Sequence, residues 1–194
     1  VSFHTVRSYP KIVRHILYGI KLLKKGRNAD IIYALDPISV GVPACVVSHI
    51  VRKKFYLRVP GDYAWEQGQQ RFGVTDTLDE YRKNSKKPIM VKFLAWMQSC
   101  VARHAIKVIV PSDYMKAVVT EWGVDAQTIT RIYSALNPVV LRETTQVLRE
   151  KLGYSGFVVT TSARLVPWKG IEGLIMAIIG LRESGVEITL EVIG

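Results

Sequence analysis

The sequence predicts an α/β protein with two parallel, helix-covered sheets, both incomplete within its 194 residues. Three observations predict it. Short β-branched apolar runs alternate with segments of helical period. The runs stop at turn-forming pairs such as Asp36-Pro37, Pro60-Gly61 and Pro111-Ser112. The pattern then restarts after Asn137-Pro138, which marks a first domain over 1–138 and the start of a second over 139–194.

The elements follow in order. Pro10 to Lys25 carries Ile12, Val13, Ile16, Leu17, Ile20 and Leu23 on one stripe, an amphipathic helix with basic residues in its last turn. Asp30–Leu35 is a strand, and Ser39 is placed to cap a helix over Val42–Val51. Phe55–Val59 is a second strand. The polar stretch Gly61–Lys87 lacks periodicity and reads as a long, partly ordered loop, a lid over an acceptor. Ile89–Arg103 is a helix, Lys107–Val110 a strand, Asp113–Trp122 a helix capped by Ser112, and Ile129–Tyr133 a strand. Thr144–Leu152 is a short helix stopped by Gly153, and Glu187–Ile193 is a last strand.

Hydrophobic residues make up 48% and charged ones 22%, the balance of a soluble globular protein. The net charge of +11 is uneven. Residues 1–107 hold 19 basic and 7 acidic side chains, a net +12, against −1 for the remainder. The excess gathers at Lys21, Lys24, Lys25 and Arg27, at Arg52–Lys54, and at Arg82, Lys83, Lys86 and Lys87. Such a surface suits an anionic partner. We expect Lys21, Lys24, Lys25 and the 82–87 cluster, with Trp96 and Met97 nearby, to form a face for an anionic membrane. The basic clusters lack helix-turn-helix, RRM or KH patterns, so nucleic acid is not the expected partner. No uncharged apolar run reaches the roughly 18 residues that span a bilayer. Cys45 and Cys100 read as reduced core thiols and point to a cytosolic compartment. His4, His15, His49 and His104 have no ligand spacing, so no metal is expected. The chain starts at Val1 and ends on an apolar strand, and it reads as an excerpt of a longer protein.

Phe157–Gly170, FVVTTSARLVPWKG, organises the rest. A buried strand leads into a loop with Arg164 and Lys169, and a glycine opens a helix whose apolar residues are Leu174, Ile175, Ile178 and Leu181. Open α/β sheets bind ligands outside the carboxyl ends of their strands. A helix start supplies unpaired N–H groups and partial positive charge. A guanidinium and an ammonium five residues apart then suit a diphosphate, although loop cations are commonly only solvated.

SARLVPWKG resembles the G-R-L-x-x-x-K-G signature of the donor domain of family 4 glycosyltransferases, which have the GT-B fold of two Rossmann-like domains. VIVPSDYMKAVVTEWGV with IYSALNP, and ALDPISVGVPA, are similar to that family's linker and acceptor-domain patterns, so the likeness covers most of 29–194. Departures are visible: Ala163 stands at a usual glycine, and Ser134, Ala135 and Asn137 replace the linker's asparagine, glycine and aspartate. The resemblance implies a hexosyltransferase-type enzyme that moves a sugar from a nucleoside-diphosphate-sugar to a hydroxyl of a lipid-linked or glycan acceptor, with retention. It implies no metal or other cofactor, and a place in the cytoplasm or on the inner face of the membrane. Arg164 and Lys169 would hold the donor phosphates, with Ser162 and Gly170 in the same donor loop. Where the family often has histidine, VPGDYAWEQG offers Asp62 as catalytic residue, with Glu66 a second candidate; a Pro-Gly-Asp turn accounts for Asp62 equally well.

Glu183 and Glu191 have the family's E-x7-E spacing, but a helix end and a strand would carry them, so they are not that motif. Two other classes stay open: a non-catalytic basic module that binds anionic lipid or nucleic acid, and an inactive relative that has lost donor binding. An upstream glycine-rich loop and a downstream E-x7-E would separate these from the enzyme, and the excerpt alone is expected to be inactive.

Overall fold

The computed structural model describes residues 11–137 and 143–194. Two compact units result, Val1–Ala135 and Leu136–Gly194. The expected boundary at Pro138 lies outside the described residues.

The first unit contains α1 (Lys11–Gly26), β1 (Ile31–Ala34), α2 (Gly41–Ile50), β2 (Lys54–Arg58), α3 (Tyr63–Arg71), α4 (Leu78–Lys83), α5 (Ile89–Arg103), β3 (Lys107–Val110), α6 (Asp113–Glu121) and β4 (Ile129–Arg131). Its four strands run parallel in the order β1-β2-β3-β4. Successive parallel strands joined by right-handed crossovers put their helices on the same side of the sheet. Alternate residues therefore differ in burial. Ile32, Ala34, Phe55, Leu57, Val108 and Val110 form the core under α2 and α6, while Ile31 and Tyr33 on the opposite face are exposed.

Local sequence explains most boundaries. The Ser112 hydroxyl accepts from Met115 N–H and starts α6. Ser39 does not cap α2: Val40 occupies that position without a side-chain bond. Instead Asp36 Oδ1 accepts from the N–H groups of Ile38 and Ser39, at 2.6 and 2.7 Å. The carboxylate wins because it is the stronger acceptor and lies two and three residues upstream of those donors.

The 61–87 stretch is not a loop. It folds as α3 and α4, with Asp62 and Thr77 as N-caps and a full capping box between Thr77 and Glu80. The connection between them is fixed at Asp76, whose carbonyl accepts from Trp65 Nε1 and Gln69 Nε2 and whose carboxylate accepts from Asn84 Nδ2. In the basic cluster there, Lys83 and Lys86 are exposed, whereas two members have partners. Arg82 is bonded to Glu121 and Asp79, and Lys87 Nζ sits 3.9 Å from the centre of the Tyr81 ring.

The second unit contains α7 (Thr145–Leu152), β5 (Phe157–Ser162), α8 (Ile171–Glu183) and β6 (Ile188–Ile193). β5 and β6 pair in parallel, and Gly153, left-handed at φ 68°, closes α7. Among the described residues, Ile178 and Ile188 alone are buried hydrophobic residues here, as two strands and one packed helix can shield little more.

Candidate functional site

In the second unit, β5 ends at Ser162, and Ala163 N–H still donates to the Ile193 carbonyl, so sheet pairing carries into the turn. Pro167–Lys169 forms one 3-10 turn, closed by Gly170 N–H on the Pro167 carbonyl at 3.2 Å. Gly170 then takes φ 66°, ψ 20°, a left-handed conformation that suits glycine. It precedes α8 without any side-chain cap, so the first N–H groups of α8 are left for another acceptor. Ser162, Arg164, Lys169 and Gly170 thus lie along one nine-residue stretch from the carboxyl end of β5 to the start of α8, and all four are exposed. Glu172 in the first turn of α8 contributes an opposing negative charge. Glu183 is the last residue of α8 and Glu191 lies within β6, the helix end and strand expected for this pair.

Asp62 belongs to the first unit. Strand β2 delivers the chain to Val59, fully buried, and the Pro60-Gly61 turn places Asp62 at the start of α3 with 3% of its surface exposed. Trp65 N–H and Gln98 Nε2 both donate to its Oδ1, each at 3.0 Å. Gln98, itself 1% exposed, uses its Oε1 to accept from Ala64 N–H, so α5 clamps the first turn of α3. Burial pushes the Asp62 carboxyl above its ordinary range, opposed by the bonds from Trp65 and Gln98 and by the charge of Lys87. Burial likewise lowers the Lys87 ammonium, against the pull of Asp62. Beside them Tyr81 is buried, and its hydroxyl has no hydrogen-bond partner among the described residues. A buried carboxyl with a raised proton affinity is a candidate for proton transfer.

Sequence spacing missed one convergence. Cys45-x3-His49 on α2 and Cys100-x3-His104 at the end of α5 meet: the two imidazoles pack edge to face at 5.4 Å. Each Nδ1 is hydrogen-bonded to the carbonyl four residues back, at 2.8 and 2.7 Å. The repeated C-x3-H spacing was the available signal. Among the described residues no three His, Cys, Asp or Glu side chains form a group that could hold a metal ion. No described helix is long and apolar enough to cross a membrane.

No protein-family model and no curated protein matches the chain. Solved structures do. HepE of Anabaena, solved with UDP and glucose, is similar over 97% of this chain and 45% of its own, with a TM-score of 0.67 and 18% identity. HepE solved with UDP-glucose is similar over 91% and 51%, with a TM-score of 0.61 and 16% identity. A candidate UDP-N-acetylglucosamine 2-epimerase of Listeria monocytogenes is similar over 96% and 46%, with a TM-score of 0.52 and 14% identity. The chain spans about half the length of these structures. At such identities the likeness concerns the fold: this is a partial GT-B-like α/β protein of parallel sheets.

Proposed function

We propose that the chain belongs to a glycosyltransferase of the family 4 type, which moves a hexose from a uridine-diphosphate sugar to a hydroxyl of a lipid-linked or glycan acceptor. The observation that carries this reading is the turn after β5. It offers Arg164, Lys169 and the uncapped start of α8 in a fold whose solved likenesses bind UDP and UDP-glucose. In the reaction the sugar–phosphate bond breaks and the diphosphate leaves with its electron pair. Two cations and aligned N–H groups stabilise that charge without a metal, and most where it is greatest, in the transition state. Asp62 is assigned to proton transfer or to a hydroxyl of the transferred sugar. Its bonds to Trp65 and Gln98 fall on Oδ1, and its raised proton affinity suits a base. Transfer with retention, work in glycan or glycolipid synthesis, and a peripheral place on the inner face of the membrane complete the proposal.

The likeness to a candidate epimerase supports a second reading, a nucleotide-sugar epimerase. One experiment separates the two. The full-length protein is incubated with UDP-sugars and hydroxyl acceptors, and products are followed by nuclear magnetic resonance. Acceptor-dependent release of UDP with an α-linked product from an α-linked donor supports the transferase. Inversion of a ring carbon, or no turnover with any UDP-sugar, overturns it.

A further inference from the structure

Helices α2 and α5 pack against each other in the first unit. Residues four apart share one face of a helix. Gly41, Cys45 and His49 therefore form one stripe of α2, and Cys100 and His104 form another at the end of α5. Contacts flank the two cysteines on both sides. A Cβ on Gly41 would lie 3.3 Å from Val101 Cγ1, so the turn before Cys45 approaches the neighbour of Cys100. On the far side the imidazoles of His49 and His104 pack together. Each Nδ1–H donates to the carbonyl of the cysteine one turn back, Cys45 or Cys100. The two thiols thus share one stretch of the seam, and the charge of Cys100 reaches Cys45. Burial first, and that charge second, push the Cys45 thiol up.

We propose that Cys45 and Cys100 are a peroxide-responsive dithiol, which closes to a disulfide that pins α2 to α5. Both thiols are free in the reduced protein. Cys100 is half-buried and meets the oxidant first, with Arg103 Nη2 donating to its sulfur at 3.5 Å. The Cys100 thiolate attacks a peroxide oxygen, the O–O bond breaks, and a sulfenic acid forms as hydroxide leaves. The buried Cys45 sulfur then attacks the sulfenic sulfur. The S–O bond breaks, and hydroxide departs with the Cys45 proton as water. The two thiols together lose two electrons and two protons, and one peroxide becomes two waters.

The bond acts next to the seat of Asp62. Gln98 lies two residues before Cys100 on α5, donates to Asp62 Oδ1 and accepts from Ala64 N–H. Fixing α5 at Cys100 therefore alters how Gln98 holds the first turn of α3. The importance of that change rests on the role assigned to Asp62 above; the disulfide itself does not.

The test treats dilute full-length protein with hydrogen peroxide, blocks the remaining thiols, and maps tryptic peptides of the single-chain band by mass spectrometry. Closing the bond needs Cα atoms within about 7 Å. A peptide pair joining Cys45 to Cys100 is expected, about 2 Da lighter than the two thiol peptides together and lost on adding dithiothreitol. Cys45→Ser should stop at the sulfenic acid, captured by dimedone at Cys100, and Cys100→Ser should leave Cys45 unmodified. The wild-type map stands even where a variant fails to fold. In amide spectra the Ala64 and Trp65 N–H signals should shift on oxidation and return on reduction. Both cysteines alkylated as thiols after peroxide, or either one paired elsewhere, would overturn the dithiol. A bond that leaves Ala64 and Trp65 unmoved would overturn its link to Asp62. UDP titration of the reduced protein reads the transferase separately, since its failure leaves the mapped bond standing.

Discussion

Replacing Asp62 separates its two assigned roles, holding α3 and handling a proton. In Asp62→Ala, Trp65 N–H loses its cap acceptor and the amide of Gln98, 1% exposed, loses its partner. A lost N-cap costs about 1 kcal/mol. A buried donor left unsatisfied adds about 1–3 kcal/mol. The sum is about 2–4 kcal/mol, read by urea unfolding and by faster amide exchange in α3. Asp62→Asn keeps an oxygen at the cap and should change stability by less than about 1 kcal/mol at neutral pH, while turnover falls because an amide cannot accept the proton. The pH dependence has a definite sign. The Asp62 carboxyl binds its proton more tightly folded than unfolded, where the ordinary value is 3.8. Its contribution therefore favours the folded state below that value and is lost as pH rises through the higher folded pKa. Asp62→Asn should remove this loss, so the variant gains on the wild type as pH rises across that window. Equal stability of Asp62→Ala and wild type, or a wild type that gains on Asp62→Asn with rising pH, would refute the reasoning.

Tyr81→Phe should stabilise the first unit by about 1 kcal/mol in urea unfolding, because it removes a buried hydroxyl without a described partner; a loss of that size would reveal a bond this account lacks. Gly41→Ala should destabilise by about 1–3 kcal/mol, since its new Cβ would lie 2.5 Å from the Asp36 carbonyl oxygen, a backbone atom with little room to yield. Unchanged stability there would show that the start of α2 relaxes more easily than its packing indicates.

Strands and long helices were legible because their signals are local. Ile89–Arg103 and Lys107–Val110 coincide with α5 and β3 residue for residue, as a sustained apolar period and a short β-branched run predict. α3 and α4 escaped because YAWEQGQQR and LDEYRK carry too few apolar residues to show a period. Their capping signals were nevertheless present, with Asp62 before α3 and Thr77-x-x-Glu80 opening α4. Long-range partners were not legible at all. Nothing near Arg82 announces Glu121, 39 residues away, and nothing near Asp62 announces Gln98. At the candidate site, the order of strand, basic turn, glycine and helix could be read directly, whereas the exposure of Arg164 and Lys169 and the burial of Asp62 needed the fold.

If the turn after β5 holds the diphosphate of a nucleotide sugar, calorimetric titration of UDP into the full-length protein will show it. Hydrogen bonds to charged groups contribute about 1.5–3 kcal/mol each, roughly tenfold to over a hundredfold in affinity. Wild type should bind UDP with measurable heat, and Arg164→Ala and Lys169→Ala should each weaken binding by that factor at unchanged melting temperature. Affinity unchanged in both variants, or no UDP binding by the wild type, would contradict the account.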